Sequence, residues 1–242
     1  GDNARTPYGT RSFQVVYKYT VEAVKYLFAR NCPLIIIACN TASSKALRSI
    51  QQIDLPKIDP EKRVLGVIRP SVEKVTEITK NGHVGVLGTP GTVLSGSYPI
   101  ELKKWSGNKI ISVVQEACPL WVPLVENNEI DSKGARFFVK KNIKNILKKD
   151  RKLDTLILGC THYPLLIKLI KKYIPENITI VEQGEIVAEK LILYLQRHPE
   201  IENRLSKNRM IKYHTTESVE NFNEKAAFFL GQQISAETIH LG

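Results

Sequence analysis

The chain has 242 residues, of which 43% are hydrophobic and 24% are charged, as in folded globular proteins that bury a sizeable core. Its 35 Lys and Arg against 24 Asp and Glu give a net charge of +11, but the lysines alternate with apolar residues along helix-like stretches. This pattern indicates solvated helix faces and does not favour a nucleic-acid partner. The longest apolar run, 33–38, is far too short to span a bilayer, so we expect no membrane association.

Strand-like and helix-like segments alternate along the whole chain. Short runs rich in Ile and Val predict strands at 34–38, 64–68, 83–88, 109–115, 155–159, 179–182 and 210–214. Apolar residues at helical spacing predict helices at 12–29, 42–53, 72–80, 91–105, 133–149, 164–173, 184–196 and 219–230. Short, continuous apolar strands are typical of parallel sheets covered on both faces, so the alternation predicts an α/β fold.

Two chain segments have the same design, which suggests two related lobes. Each is a buried strand that ends in a small residue, a cysteine and polar groups before a helix begins: Ala38-Cys39-Asn40-Thr41 and Gly159-Cys160-Thr161-His162. We therefore expect two pseudo-symmetric α/β sandwich lobes with mainly parallel sheets and an active site in the cleft between them. Residues 1–65 and 178–242 are predicted to form the first lobe, with Cys39, and residues 66–177 the second, with Cys160.

The placement of Cys39 and Cys160 favours chemical reactivity. Ligands of parallel α/β sheets bind beyond the carboxyl ends of the strands, and both cysteines lie there. A helix N-terminus offers free N–H groups and a positive partial charge, which favour a thiolate and an anionic substrate. The alternative is that both are small core residues, as we expect for Cys32 and Cys118, which each precede a proline. The scattered cysteines do not indicate zinc or disulfides, and reduced thiols favour a cytoplasmic protein.

Other polar residues near these segments are weaker candidates. His162 lies two residues after Cys160 and is able to tune that thiol, although a lone histidine is more often structural. Glu126 ends an apolar run and is equally consistent with a surface helix. Thr89 and Thr92 follow a predicted strand and are suited to contacting an anion, but as a bare motif they are not specific. Neither GxGxxG nor GxxxxGK[ST] occurs, so a nucleotide cofactor is not indicated.

At these residues the chain resembles the bacterial glutamate racemases of the aspartate/glutamate racemase superfamily. The matching segments extend almost from end to end, and the most specific are Cys-Asn-Thr-Ala-Ser at 39–43 and Gly-Cys-Thr-His-Tyr-Pro at 159–164. Others are 1–9, 66–68, 89–95 and 122–126. The resemblance implies interconversion of L- and D-glutamate without a cofactor, which supplies D-glutamate for peptidoglycan, in a cytoplasmic homodimer.

The resemblance also implies roles for individual residues. One cysteine removes the Cα proton and the other protonates the opposite face, with Cys39 acting on D-glutamate and Cys160 on L-glutamate. Glu126 and His162 match residues that assist the cysteines. The remaining matches are predicted to bind substrate: Tyr8, Gly9, Asn40, Thr41, Thr89, Thr92, Thr161 and His162.

Two departures and two alternatives accompany the resemblance. Family members begin with a further strand and helix carrying Asp-Ser-Gly, and this chain starts after that point. If the protein lacks that segment, we expect an open pocket, weak or absent activity and poor solubility. Arg69 stands where many relatives carry Glu. The alternatives are a racemase of another amino acid, such as aspartate, and a racemase-like binding protein without catalytic activity.

Overall fold

The computed structural model describes residues 1–241. Its strands are short and, in chain order, are β1 (Leu34–Ile37), β2 (Arg63–Gly66), β3 (His83–Gly88), β4 (Ser112–Ala117), β5 (Thr155–Gly159), β6 (Thr179–Val181), β7 (Tyr213–Thr215) and β8 (Ala236–Thr238). They form three parallel sheets, with the orders β1-β2, β4-β3-β5-β6 and β7-β8. The predicted α/β class with parallel sheets is confirmed.

Helices connect the strands. The α-helices are α1 (Phe13–Ala29), α2 (Asn40–Lys45), α3 (Leu47–Ser49), α4 (Leu55–Ile58), α5 (Ile68–Ile78), α6 (Pro90–Ser95), α7 (Ser97–Ser106), α8 (Trp121–Glu126), α9 (Lys133–Lys149), α10 (Ile167–Tyr173), α11 (Gln183–Arg197), α12 (Pro199–Glu202) and α13 (Val219–Leu230). A π-helix, Ile50–Asp54, joins α3 to α4, and 3₁₀-helices lie at Asn3–Arg5 and Tyr163–Leu166. Within residues 1–241, no helix combines the length and apolar character needed to cross a membrane.

The four-stranded sheet is covered on both faces because its central strands, β3 and β5, are mostly apolar. All five residues of β5 are buried. Successive side chains of a strand point to opposite faces. Leu156 and Leu158 accordingly pack into a core with α8, α9 and α10, whereas Ile157 packs into a second core with α5 and α7. This two-sided packing fixes the carboxyl end of β5, where Cys160 follows.

A separate core supports Cys39. Val16, Val24 and Phe28 of α1 pack with Ile35 and Ile37 of β1, and the partly buried Cys39 lies against this cluster. The alternating burial of Ile35 and Ile37 matches a strand with one face on α1. The two cysteines therefore follow strands that belong to different sheets and different cores.

The lobe boundaries stay a prediction. Residues 179–181, which the predicted division assigns to the first lobe, form β6 and pair with β5 in the four-stranded sheet. This pairing favours a boundary after β6, where the chain would return from the second lobe to the first. Residue 242, included in the predicted range 178–242, lies outside the described residues.

Several predicted elements differ from the structure. The helix predicted at 42–53 begins earlier and is divided into α2, α3, a π-helix and α4, so helical structure continues to residue 58. The strand predicted at 109–115 occupies Ser112–Ala117, because Ser112 is the residue that pairs with His83 at the start of β3. The helix predicted at 164–173 starts as a 3₁₀ turn. Helix α8 and strand β8 are not predicted.

Candidate active site

Cys39 is the residue at which β1 turns into α2. Its carbonyl accepts a hydrogen bond from the Ser43 N–H at 2.8 Å, and its sulfur lies 3.5 Å from the Ala42 N–H, so Cys39 caps the helix. Burial raises the pKa of the Cys39 thiol, and N–H groups of Ala42 and Thr41 and the Thr41 hydroxyl oppose the rise without cancelling it. The helix N-terminus thus lowers the pKa of the thiol, as the sequence predicts, but desolvation raises that pKa by more.

Cys160 directly follows β5 and is only 7% exposed. Burial is the main cause that raises the pKa of its thiol to about 12, with a smaller contribution in the same direction from the charge of Cys39. At both thiols, burial therefore outweighs the hydrogen bonds that favour the charged form. Cys160 needs a neighbouring group that takes its proton before it can act as a base.

His162 and Glu126 provide such a group beside Cys160. The Nδ1 atom of His162 lies 3.8 Å from the Cys160 sulfur, and its Nε2 atom lies 2.6 Å from Oε1 of Glu126. The bond to His162 lowers the pKa of Glu126 to about 2, with Lys225 contributing in the same direction. An ionised carboxylate only accepts hydrogen bonds, so Nε2 of His162 donates, and in the neutral imidazole Nδ1 is left as an acceptor for the thiol.

Three of the predicted substrate-binding threonines form one buried cluster. The hydroxyl of Thr41 lies 2.8 Å from that of Thr89 and 3.3 Å from that of Thr92, and the latter two lie 3.1 Å apart. The cluster connects the start of α2 to the start of α6, where Thr89 accepts a bond from the Thr92 N–H. Thr161, in contrast, is exposed beside His162, with 3.4 Å between its hydroxyl and Nδ1.

Tyr8 and Gly9 lie in a loop that contacts this cluster. The Gly91 N–H donates to the Gly9 carbonyl at 2.7 Å, and a Cβ at Gly9 would lie only 2.9 Å from Cβ of Thr89, so the close approach requires glycine. The Tyr8 hydroxyl donates to the carboxylate of Asp2. Burial is the main cause that raises the pKa of Tyr8. Tyr8 and Cys39 pack against the same hydrophobic core cluster.

Asn40 contributes to a buried polar network with Gln183 and Tyr98, two residues that are not among the predicted site residues. Its Nδ2 donates to Oε1 of Gln183 at 2.6 Å, and its Oδ1 accepts from the Tyr98 hydroxyl at 2.7 Å. Gln183 in turn donates to Tyr98 at 2.8 Å and to Ser71 at 2.6 Å. Gln183 is the second residue after β6, so the strand-end rule that identifies the cysteines would also have identified it. Tyr98, inside a helix, carries no such signal.

The structure offers no metal site near these residues. Within residues 1–241, no group of three or more His, Cys, Asp or Glu side chains is placed to hold a metal ion. A cleft of about 740 Å³ opens elsewhere, along α5, α7 and α11, and neither cysteine lines it. One of its walls carries Arg69, whose guanidinium lies 4.0 Å from the centre of the Trp105 ring and 3.0 Å from the Glu73 carboxylate.

Comparison with known proteins defines the class. Residues 2–191 match the Asp/Glu/Hydantoin racemase family, and the chain therefore belongs to it. Curated relatives that it resembles are named glutamate racemase. A glutamate racemase from Persephonella marina is 43% identical over 198 residues, which cover 81% of this chain and 70% of that protein. The prediction of a relationship to bacterial glutamate racemases, which are isomerases, is confirmed.

Solved structures agree in fold. The crystal structure of glutamate racemase isoform RacE1 from Bacillus anthracis is 36% identical, with a TM-score of 0.88, covering 100% of this chain and 86% of that one. The glutamate racemase of Francisella tularensis, solved in complex with D-glutamate, is 27% identical, with a TM-score of 0.85 and coverage of 100% and 86%. These matches confirm the two-lobe α/β fold and an enzyme of the racemase class.

Proposed function

We propose that this chain interconverts L- and D-glutamate without a cofactor, with Cys39 and Cys160 as the two acid–base groups. The observation that carries the proposal is that one buried side chain, Tyr98, contacts the residues beside both strand-end thiols: it bonds to Asn40 at 2.7 Å and lies against Gly159. Cys160 in addition lies 3.8 Å from an imidazole–carboxylate pair. The name shared by the relatives and the D-glutamate bound in the Francisella tularensis structure support glutamate as the substrate rather than aspartate.

Each of the two thiols exchanges a proton with one face of the substrate Cα. When L-glutamate is bound, the Cys160 thiol passes its proton to Nδ1 of His162, and the thiolate removes the Cα proton. The Cys39 thiol then protonates the opposite face, and its own charge is stabilised by the N–H groups of Thr41 and Ala42. After product release, the proton held by His162 is exchanged through solvent for one that returns to Cys39, which restores both thiols. The reverse of these steps converts D-glutamate. The Cα proton is a very weak acid, so positioning, exclusion of water and stabilisation of the carbanion must supply the rate.

The other roles follow from the family resemblance. We infer that Tyr8, Gly9, Asn40, Thr41, Thr89, Thr92, Thr161 and His162 surround the substrate. The threonine hydroxyls and the N–H groups at the starts of α2 and α6 are suited to its carboxylates. We further infer a cytoplasmic homodimer whose product, D-glutamate, enters peptidoglycan.

The test uses pure L-glutamate and pure D-glutamate in heavy water without pyridoxal phosphate. Circular dichroism follows the loss of optical activity, and NMR follows deuterium at Cα. We expect racemisation from both enantiomers, and a loss of at least about 100-fold in Cys39→Ser and in Cys160→Ser, with both variants folded. Cys32→Ser, which changes a cysteine outside the site, is the matched control and should keep the parental rate.

The exchange pattern separates the two thiols. In Cys39→Ser, Cys160 is still able to remove the proton of L-glutamate and return a deuteron to the same face, so L-glutamate should exchange without inverting. Cys160→Ser should show the same behaviour with D-glutamate. Racemisation at the parental rate in either variant would exclude the two-thiol mechanism. Faster racemisation of aspartate than of glutamate would exclude the proposed substrate.

A further inference from the structure

Lys225 extends the hydrogen-bonded chain behind Cys160 to the C-terminal helix α13. Its Nζ lies 2.7 Å from Oε2 of Glu126, across a separation of 99 residues in the sequence. The other carboxylate oxygen, Oε1, lies 2.6 Å from Nε2 of His162. Residues of two different elements therefore bond to the two carboxylate oxygens of Glu126. Lys225 lies at the outer end of this hydrogen-bonded chain, and its side chain is 48% exposed.

A carboxylate held by one bond is free to rotate, whereas one held at both oxygens is not. Glu126 is the last residue of α8 and is partly exposed, so packing alone does not fix its side chain. The bond from Lys225 supplies the second constraint. Partners of this kind fix the tautomer and orientation of an imidazole by holding the group to which it donates.

We propose that Lys225 is a positioning residue: by holding Oε2 of Glu126, it keeps Oε1 against Nε2 of His162 and Nδ1 of His162 directed at the Cys160 sulfur. The inference deepens the proposed racemase function and rests on it for its catalytic consequence. It assigns helix α13, which contributes no residue to the predicted substrate-binding set, a part in the Cys160 half of the site.

The experiment compares Lys225→Met, Lys225→Arg and Lys212→Met. Lys225→Arg retains a cation that reaches the carboxylate, and Lys212→Met removes an exposed charge from the same part of the chain as a matched control. The first readout is ¹⁵N NMR of the imidazoles, with His162 assigned by comparison with His162→Gln. We expect the Nε2–H tautomer to predominate in the parent, in Lys225→Arg and in Lys212→Met, and a mixture of tautomers in Lys225→Met.

The second readout is steady-state racemisation. The ammonium of Lys225 bonds to Glu126, which is not one of the predicted substrate-binding residues. Lys225→Met should therefore lower kcat about 10-fold and change KM less than about twofold. Lys225→Arg should recover most of this loss. In a Glu126→Gln background, Lys225→Met should have no further effect on kcat, because the residue acts through Glu126.

The two readouts distinguish a failure of the positioning role from a failure of the proposed function. An unchanged His162 tautomer in Lys225→Met, or a full additional loss of kcat in the Glu126→Gln background, would overturn the positioning role. If the parent does not racemise glutamate but its His162 tautomer depends on Lys225, the proposed function fails and the positioning role of Lys225 stands.

Discussion

At the scale of single residues, Asn40 shows how the position beside Cys39 is held. Both polar atoms of its side chain have partners in the buried network with Tyr98 and Gln183. An unpaired polar group in such a place costs more than an ordinary hydrogen bond contributes, so each member of the network depends on the others. The network thereby fixes the first residue of α2 directly after the thiol.

Tyr98→Phe tests this dependence. The substitution keeps the ring but leaves Oδ1 of Asn40 without its donor, and removes one of the acceptors of Gln183. We expect the free energy of unfolding to fall by about 1–3 kcal/mol, measured by urea denaturation. Tyr17→Phe is the control, since the Tyr17 hydroxyl bonds to Asp54 in a more exposed place, and its loss should be smaller. Equal losses in both variants would contradict the proposed importance of the buried network.

At the scale of elements, local signals predict some segments well and others not at all. Helix α9 occupies the predicted range because Ser132 caps its start and Val139, Ile143 and Ile146 recur on its buried face. The segment after α2 has a similar pattern, yet it is divided by a π-helix, and the sequence does not show where the hydrogen-bonding pattern changes. Strand β8 has three residues, two of them exposed, and it pairs with a strand about 20 residues away, so alternation gives no signal.

Ser132→Ala tests the contribution of the cap to α9. The Ser132 hydroxyl accepts a bond from the Ala135 N–H at 3.0 Å, which satisfies one of the free donors at the helix start. Its removal should lower the free energy of unfolding by about 1 kcal/mol, measured by urea denaturation. Ser106→Ala is the control at the end of α7, where the hydroxyl makes a long bond of 3.3 Å to the adjacent Gly107 carbonyl and we expect a change within about 0.5 kcal/mol. An unaltered midpoint in Ser132→Ala would show that tertiary packing alone fixes the start of α9.

At the scale of the whole molecule, the site is assembled from distant parts of the chain. The sequence places Cys39 and Cys160 at strand ends, and the structure agrees, because a buried strand followed by a helix is a local pattern. The partners of these segments are not local: Asn40 and Gln183 are 143 residues apart, and Glu126 and Lys225 are 99 apart. Such contacts depend on how the elements pack, and a single sequence carries no periodicity that would reveal them.

The distribution of ionisable groups also predicts how the stability of the whole molecule changes with pH. Burial alone would raise the pKa of Glu116 and Asp154, but hydrogen bonds outweigh burial and lower the pKa of both. Burial raises the pKa of the Cys118 and Cys160 thiols. A carboxyl with a lowered pKa contributes stability that is lost as pH falls below about 4, and a thiol with a raised pKa contributes stability that is lost as pH rises above about 8.5.

We therefore expect the free energy of unfolding, measured by urea denaturation, to be greatest between about pH 5 and 8 and to fall on both sides. On the alkaline side, each thiol that ionises only on unfolding contributes a loss of about 1.4 kcal/mol per pH unit. Cys118 is 1% exposed. Cys118→Ala should therefore reduce the alkaline slope by about 1.4 kcal/mol per pH unit and leave the acid slope unchanged. A constant stability from pH 8 to pH 10 would contradict this account, because it would mean that the buried thiols ionise as readily in the folded protein as in the unfolded chain.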